Sequence, residues 1–539
     1  MVWSFLFFVC FVWCSTSQAA PTPVRLQCNQ TLTAGSTLAL TDKLDLSGRQ
    51  PDQPQSIQSP CGIYGPEGNG GDPATILVPA NDCVLLAQGL VTITGNIRFV
   101  VGNKTRQFDC CDDGEGHGSI LCSYTNLTIA QGANVKVETT DGDDSVIINP
   151  GGFWTGNFIH VLGTVNASLK AGQMTGVNGL LSSTGVRVSS TGRVIATGMA
   201  SVRGAAIQGG DDGTVLNGSV TCRNYSAGDA GGCIAAGQYF SLGPAGTVHA
   251  SDGMGINGAS GLVAATDNMS IQGTIVAERL NTSDAGAVLA GNDITMSEQS
   301  SIVADDVYSS GGPTVVTSSN VTLKDSASIT VSNSLGVADG GAVQASLVRM
   351  FDDSKISCEN GYADNGGACI LSSIEMDDRA SITARNMTAG SNGGALSGGY
   401  PNMYLVVRGS ASIDLVDSHA GLYGGAMFFW ENISFVGDSF KVRIRNSAAP
   451  CGGAIVSIGQ QGIAGDGNVY LNPSGMLHIE NAKELNASKG CITIQANLIS
   501  NTGNRIPQPC GSGCAIPSVK ASCGCKPQQK FKFMECCAA

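Results

Sequence analysis

Carboxylate side chains recur at a nearly constant spacing in the second half of this 539-residue chain. The series runs Glu298, Asp325, Asp352, Asp378, Gly409 and Asp438, so glycine replaces the acid once. If these positions stack about 5 Å apart, neighbouring carboxylates repel by about 0.8 kcal/mol in water. A Ca²⁺ ion, which prefers oxygen ligands, would relieve that repulsion. The candidate calcium ligands are Asp325, Asp352, Asp378 and Asp438.

A second interpretation gives the same carboxylates a structural role, because Asp is favoured in turns, where its side chain caps backbone N–H groups. Basic residues that would neutralise the series lie beside it, namely Lys324, Lys355, Arg379, Arg408 and Lys441. Both interpretations stay open at the level of sequence. We therefore predict no cofactor, with calcium at these carboxylates as the possibility to test; zinc at the C-terminal cysteines is disfavoured because their spacing fits no common zinc site.

Cysteine spacing indicates disulfides. The chain has 20 cysteines, and an even number remains once the two in the N-terminal apolar segment are set aside. Two pairs have equal separation and flank equivalent turns, so we predict the disulfides Cys222–Cys233 and Cys358–Cys369. A further cluster lies at the C-terminus and comprises Cys510, Cys514, Cys523, Cys525, Cys536 and Cys537. Such cysteine usage is typical of an oxidising compartment.

Asp112, Asp113 and His117 look like the paired Asp and the Gly-His-Gly of β-helical pectin hydrolases, whose carboxylates act as acid and base. In those enzymes the Asp pair and the His come from successive coils, but here Asp113 and His117 are four residues apart. The basic partner, matched loosely by Arg443, lies far along the chain. We therefore predict no catalytic residue. The segment is better interpreted as a loop held by its cysteines, which are Cys110, Cys111 and Cys122.

Residues 1–19 predict a secretory signal peptide, because residues 2–13 are almost wholly apolar and small residues precede the expected cut. This stretch is shorter than the ~20 residues of a membrane span, so no transmembrane span is expected in the mature chain. Sequons for N-glycosylation occur at twelve positions, which are Asn29, Asn103, Asn126, Asn166, Asn217, Asn224, Asn268, Asn281, Asn320, Asn386, Asn432 and Asn486. Together these features predict a secreted or cell-surface glycoprotein.

These residues are positioned by a repeat. The sequence Gly-Gly-Ala occurs five times, beginning at Gly340, Gly366, Gly393, Gly424 and Gly452. Before each copy lies an alternating segment, such as residues 325–333, in which Ala327, Ile329 and Val331 share one face. A period near 27 residues with short strands indicates coils stacked in parallel. A β-sandwich array is the second-ranked fold.

We therefore predict an all-β fold, a single long parallel β-helix (solenoid) with Cys-rich end caps. The expected division is a signal peptide (1–19), an N-terminal cap (20–72), β-helix repeats (73–500, clearest at 297–456) and a Cys-rich tail (501–539). In each coil Asn or Asp is expected to adopt a left-handed turn and Ala to fill a tight inward position.

The Asn-x(5 or 6)-Gly-Gly-Ala pattern resembles the repeats of the polymorphic outer-membrane protein family, in which Gly-Gly-Ala is followed by Ile, Leu or Val. Val343, Leu396 and Ile455 follow the Ala here, whereas Cys369 and Met427 depart from the pattern. The resemblance covers residues 325–456. It implies a right-handed parallel β-helix and surface adhesion.

Amino-acid composition limits the classes of partner that this protein is expected to bind. A net charge of −13 lacks the basic footprint of a nucleic-acid-binding protein. The sequence predicts a structural or adhesive surface protein, not an enzyme, whose partner is a cell-surface or matrix carbohydrate or protein. The alternative is a carbohydrate-active β-helical enzyme, such as a polysaccharide lyase or hydrolase, which needs acidic and basic residues at matching positions of adjacent coils.

Overall fold

The structure is a computed structural model, which describes the following residues: 23–24, 28–40, 44–45, 61–67, 72–78, 84–101, 120–139, 152–168, 179–255, 261–283, 286, 288–337, 341–399, 402–450, 452–457, 468–472, 474–485, 494–495 and 497–500. The predicted signal peptide and the tail at 501–539 lie outside this set, as do Asp112, Asp113, His117, Cys110 and Cys111. The described residues form strands, turns and bends and contain no helix.

All strands belong to two parallel sheets, of 20 and 28 strands. The first sheet comprises Pro23–Val24, Thr37–Leu40, Ala74–Val78, Asn96–Val101, Asn134–Thr139, Thr164–Ser168, Arg193–Thr197, Ala200–Arg203, Ser219–Ala230, Thr247–Gly255, Thr274–Thr282, Ser301–Ser309, Ser328–Gly336, Lys355–Ala363, Ser381–Ala389, Ser412–Ala420, Lys441–Arg445, Ala448–Ala449, Met476–Glu480 and Lys483–Glu484.

The second sheet comprises Gln30–Thr31, Leu44–Asp45, Cys61–Tyr64, Leu85–Ala87, Val91–Thr94, Leu121–Ser123, Leu127–Ile129, Phe153–Val161, Leu181–Val188, Ile207–Gln208, Gly213–Leu216, Ile234–Ala235, Phe240–Leu242, Val263–Ala264, Asn268–Ile271, Leu289–Ala290, Asp293–Met296, Val316–Leu323, Val343–Met350, Ile370–Met376, Leu396–Gly398, Leu405–Val407, Met427–Phe429, Ile433–Phe435, Ile455–Ser457, Asn468–Leu471, Ile494–Gln495 and Asn497–Ser500.

One coil passes through both sheets and returns to the first. The strand Ser328–Gly336 lies in the first sheet, Val343–Met350 lies in the second, and Lys355–Ala363 continues the first sheet one coil later. Ser328 pairs in parallel with Lys355, and Val343 pairs in parallel with Ile370. The predicted parallel β-solenoid is therefore confirmed. Residues that recur one repeat apart in the sequence are therefore neighbours in adjacent coils.

The interior of the solenoid is an aliphatic core built from stacked equivalent residues. Ala327, Ile329 and Val331 are all buried, as their alternation predicts, while the residues between them face outward. One stack, traced by strand register, consists of Ile275, Ile302, Ile329, Ile356, Ile382 and Ile413. Each inward side chain thus contacts its own counterpart in the coils before and after it.

The Gly-Gly-Ala turns also stack, but the second copy is displaced by one residue. Strand register places Ile370 between Val343 and Leu396, so Cys369 and not Ala368 occupies the alanine position. Across the five Gly-Gly-Ala copies this position is taken by Ala342, Cys369, Ala395, Ala426 and Ala454, all wholly buried. The apparent departure at Cys369 is therefore a register shift, and Ile370 supplies the expected aliphatic residue.

Glycine is required in these turns for two reasons. Gly367, Gly393 and Gly424 have positive φ angles of 54°, 58° and 62°, which residues with a Cβ rarely adopt. A Cβ on Gly341 would lie 1.7 Å from the carbonyl oxygen of Ala368 in the next coil. The turns of adjacent coils therefore approach too closely for a side chain.

A second set of left-handed residues bends or interrupts the first sheet in each coil from Ser219–Ala230 onward. Its members are mainly Asn and Asp, namely Asn224, Asp252, Arg279, Asp306, Asn333, Asn360, Asn386, Asp417, Asn446 and Asn481. Their amides link successive coils. The Nδ2 of Asn386 donates to Oδ1 of Asn360 at 2.8 Å, and Nδ2 of Asn360 donates to Oδ1 of Asn333 at 3.1 Å. The predicted turn role of these residues is thus accompanied by an amide ladder.

Both predicted disulfides are present. Cys222 is bonded to Cys233 and Cys358 to Cys369, each bridging the first sheet to the following turn within one coil. A third disulfide joins Cys28 to Cys61. Cys122 is disulfide-bonded as well.

The described strands of the predicted N-terminal cap belong to the same two sheets. Thr37–Leu40 pairs with Ala74–Val78, and Cys61–Tyr64 pairs with Val91–Thr94. Coil stacking therefore begins before residue 73. Among the described residues there is no helix of the length and apolarity that a membrane span requires.

Candidate binding groove

A groove crosses five coils on the outer face of the second sheet. Its floor follows one register column, in which Gln208, Ala235, Ala264, Ala290 and Thr317 pair successively. These residues follow the inward aliphatic residues Ile207, Ile234, Val263, Leu289 and Val316, so their side chains point outward. Because alanine occupies the outward position in three consecutive coils, the outer surface of the sheet is depressed here.

The groove has a volume of about 830 Å³. One wall is the bend that follows each floor strand, where Thr266, Asn292, Ser318 and Ser319 lie. Arg203 is the only ionisable side chain among the described lining residues. The groove is therefore an apolar floor bordered by hydroxyl and amide groups, with one guanidinium at the end nearest the N-terminus.

Inter-coil hydrogen bonds fix this wall. The hydroxyl of Ser318 donates to the carbonyl of Asn292 at 2.7 Å, and the backbone N–H of Ser319 donates to the same carbonyl at 2.8 Å. The backbone N–H of Thr266 donates to the carbonyl of Gly237 at 2.8 Å. Since the wall is held by backbone contacts between coils, it is formed before any ligand arrives.

Gln208 contributes an unused acceptor. Its Oε1 is buried and has no hydrogen-bond partner among the described residues. A buried acceptor without a donor is costly, so it favours occupancy by a hydroxyl or by water.

The same column carries larger side chains beyond both ends of the groove, with Ser182 and Gln344 as its direct neighbours. Towards the N-terminus it carries Trp154, which packs edge-on against Tyr124 at 6.2 Å between ring centroids. Towards the C-terminus it carries Leu371, Ser397, Phe428 and Val456, all buried. The groove therefore lies where alanine occupies this column in three successive coils.

Three of the predicted calcium ligands stack along one corner of the coil, and one oxygen of each carboxylate already has a protein partner. Carboxylate oxygens of Asp325 and Asp352 accept the backbone N–H of Glu298 at 2.9 Å and of Asp325 at 3.1 Å. Asp378 accepts the N–H of Asp352 at 3.4 Å. In these bonds the carboxylates cap backbone N–H groups, as the second interpretation of the acidic series expects.

Asp438 lies apart from the other three. Gly409 takes the intervening coil, and the Asp438 carboxylate accepts an amide hydrogen of Asn472 at 3.0 Å. In the described part of the chain no three His, Cys, Asp or Glu side chains are close enough to hold one metal ion. Calcium binding stays a prediction.

Carboxylates outside the acidic series make the stronger ionic contacts. Hydrogen bonds from Arg379, at 2.7 Å to each oxygen, hold the pKa of Asp353 below its usual value. Arg279 lowers the pKa of Asp252 in the same way, and hydrogen bonds from Ser332 and Asn333 lower the pKa of Asp305. Each of these contacts joins adjacent coils. Asp252 and Arg279 also border a second cavity of about 300 Å³.

Every described sequon lies at the surface. Six Asn residues are exposed, namely Asn29, Asn217, Asn224, Asn268, Asn281 and Asn386, and four are half-buried, namely Asn126, Asn166, Asn320 and Asn432. Asn103 and Asn486 lie outside the described residues. Arg443, the loosely matched basic residue of the pectin-hydrolase comparison, is exposed on the first sheet.

The fold defines this protein as a parallel β-solenoid. Comparison with protein-family models, with curated proteins and with solved structures gives no match. The resemblance to polymorphic outer-membrane protein repeats therefore stays a prediction. The groove was not predicted from the sequence, although its signal is visible as alanine immediately after the aliphatic residue in three successive coils.

Proposed function

We propose that this protein is a secreted or cell-surface adhesive glycoprotein whose solenoid binds a carbohydrate chain in the groove. The groove itself carries the proposal. At about 4.8 Å per coil, four intervals give a length of roughly 19 Å, which suits an extended polymer. Its floor follows successive coils, so its axis follows the long axis of the coil stack.

The lining supports a sugar ligand on chemical grounds. The alanine floor offers apolar contact to the C–H faces of a sugar ring, and the Ser, Thr, Asn and Gln side chains match its hydroxyl groups. A net charge of −13 opposes a strongly acidic polymer. We therefore infer a largely uncharged glycan, with Arg203 as a hydrogen-bond donor near one end.

Secretion and glycosylation are part of the same proposal. The disulfides and the ten described surface sequons agree with an oxidising secretory route. The resemblance of the repeats to a family of surface adhesins agrees by analogy. Antibody labelling of the native protein on intact cells tests the location.

The binding test uses the full secreted chain and a panel of neutral and acidic polysaccharides. The variant Ala264→Trp fills the floor of the groove, and the fold accommodates tryptophan in this column at Trp154. We expect this variant to weaken binding by at least about tenfold, which corresponds to 1.4 kcal/mol. Arg203→Gln should weaken binding less, because the rest of the lining is retained.

Val303→Phe is the control, since Val303 is exposed on the outer face of the first sheet, away from the groove. Retained binding in Val303→Phe and its loss in Ala264→Trp would support the proposal, whereas equal binding in all variants would reject the groove. Release of shortened products from any polysaccharide would instead favour the carbohydrate-active enzyme.

A further inference from the structure

Four predicted glycosylation sites share one register position. Asn126, Asn268, Asn320 and Asn432 each directly precede the same inward column, which strand pairing traces from Leu127 through Met269 and Val321 to Ile433. Their spacing in sequence is irregular, so this alignment becomes visible only in the fold. These four positions are called the sequon row.

The groove runs beside the middle of the sequon row. Ser319, which lines the groove, directly precedes Asn320, and Thr266, which also lines it, lies two residues before Asn268. Asn268 pairs with Asp293, and Asp293 pairs with Asn320, so the two sequons stand two coils apart on the same edge. The corresponding distance is roughly 10 Å.

Both asparagines are accessible for modification. Asn268 is exposed, and Asn320 is half-buried with its Nδ2 donating to the Asp293 carboxylate at 2.7 Å. An N-linked amide keeps one N–H, so this contact can survive glycosylation. The side-chain position is therefore compatible with a glycan that rises from the edge of the groove.

We propose that N-glycans on Asn268 and Asn320 form a screen along one edge of the groove and restrict the entry of large ligands. This inference rests on the proposed function for its biological meaning, but its physical content is only the accessibility of the groove. An N-glycan is bulky and hydrated, and two of them within roughly 10 Å would overhang a channel whose floor carries alanine in three successive coils.

The test measures accessibility without any ligand. A cysteine introduced as Ala264→Cys, in full-length protein secreted from eukaryotic cells, is labelled with a small maleimide and with a bulky polyethylene-glycol maleimide. The sequons are removed by Ser270→Ala and Thr322→Ala, which leave both asparagines in place. We expect labelling by the bulky reagent to accelerate several-fold, and labelling by the small reagent to change little.

Thr128→Ala and Ser434→Ala are matched controls, since they remove the sequons of Asn126 and Asn432 in the same row but away from the groove. They should leave both labelling rates unchanged. Ala290→Cys serves as a second reporter if Ala264→Cys fails to fold.

Mass spectrometry of the secreted protein shows whether Asn268 and Asn320 carry glycans. Absence of glycan at Asn268 and Asn320 would overturn it, and so would an unchanged bulky-reagent rate in protein that carries both glycans. Neither result bears on carbohydrate binding by the groove, which the polysaccharide panel tests separately.

Discussion

The stacked turns place a small buried side chain between equivalent residues of the preceding and following coils. Ala395 is wholly buried and lies between Cys369 and Ala426 in the stack. Ala395→Leu should lower the free energy of unfolding by about 1–3 kcal/mol, because the added atoms must displace the adjacent turns. Denaturant titration measures this change.

Thr330→Leu introduces the same leucine side chain on the exposed face of the first sheet, and should be nearly neutral. Equal effects of Ala395→Leu and Thr330→Leu would contradict the stacked-turn explanation.

The left-handed asparagines combine two contributions that substitution can separate. Asn360 has a φ of 55° and exchanges amide hydrogen bonds with Asn333 and Asn386. Asn360→Ala should cost about 1–2 kcal/mol for the backbone conformation alone. Asn360→Gly loses the same hydrogen bonds but tolerates positive φ, so it should be less destabilising. Thermal or chemical unfolding distinguishes them, and identical losses would assign the effect to the amide ladder.

For individual residues, the sequence predicted some structural roles correctly and missed others. The inward positions of Ala327, Ile329 and Val331 follow from simple alternation. The shift that places Cys369 in the alanine stack does not follow from the sequence. Aligning the Gly-Gly-Ala at 366–368 with the other copies gives the wrong register. Only pairing with Val343 and Leu396 on the adjacent coils fixes it.

At the scale of a coil, the Cys358–Cys369 disulfide ties the first sheet to the turn that leaves it. Alanine occupies the equivalent positions one coil later, at Ala384 and Ala395, so the double variant Cys358→Ala, Cys369→Ala fits sterically. We expect it to lose about 3 kcal/mol of stability, the entropy of closing a short loop. Denaturant titration measures the loss, and peptide mapping that paired either cysteine elsewhere would contradict the assignment.

The acidic corner of the coil gives a prediction about metal removal. Because the Asp325 and Asp352 carboxylates accept backbone N–H groups of the neighbouring coil, chelation should leave the melting temperature unchanged. Asp352→Asn retains an acceptor and should be better tolerated than Asp352→Ala. A marked rise in melting temperature on adding calcium would instead support the calcium interpretation.

Coil boundaries were predictable because Asn, Asp and Gly occupy the left-handed positions that the turns require. The groove was not predictable, because packing in the core does not constrain the size of outward-facing residues. Alanine at Ala235, Ala264 and Ala290 has no meaning until the coils are aligned and Trp154 and Phe428 are found in the same column.

For the whole molecule, ionic contacts between coils predict sensitivity to acid. The pKa values of Asp252, Asp305 and Asp353 are lowered by hydrogen bonds from Arg279, from Ser332 and Asn333, and from Arg379. Their stabilisation is therefore fully present above the unfolded pKa of about 3.9 and is lost as pH falls through the lower folded values.

A variant with all three residues changed to Asn tests this dependence. It should be less stable than the natural chain at pH 6, and the difference should shrink as the pH is lowered towards 2. Unfolding free energies across that range provide the measurement. A difference that stayed constant with pH would show that charge is not responsible.

Each coil makes its contacts almost entirely with the coil before it and the coil after it. Removing or duplicating one complete repeat would leave every remaining interface of the same kind, and would change the reach of the molecule by a single step of about 4.8 Å. Unequal recombination between repeats is therefore a direct route to longer or shorter relatives of this protein, and it leaves the groove unaltered when the repeat gained or lost lies outside the coils that form it.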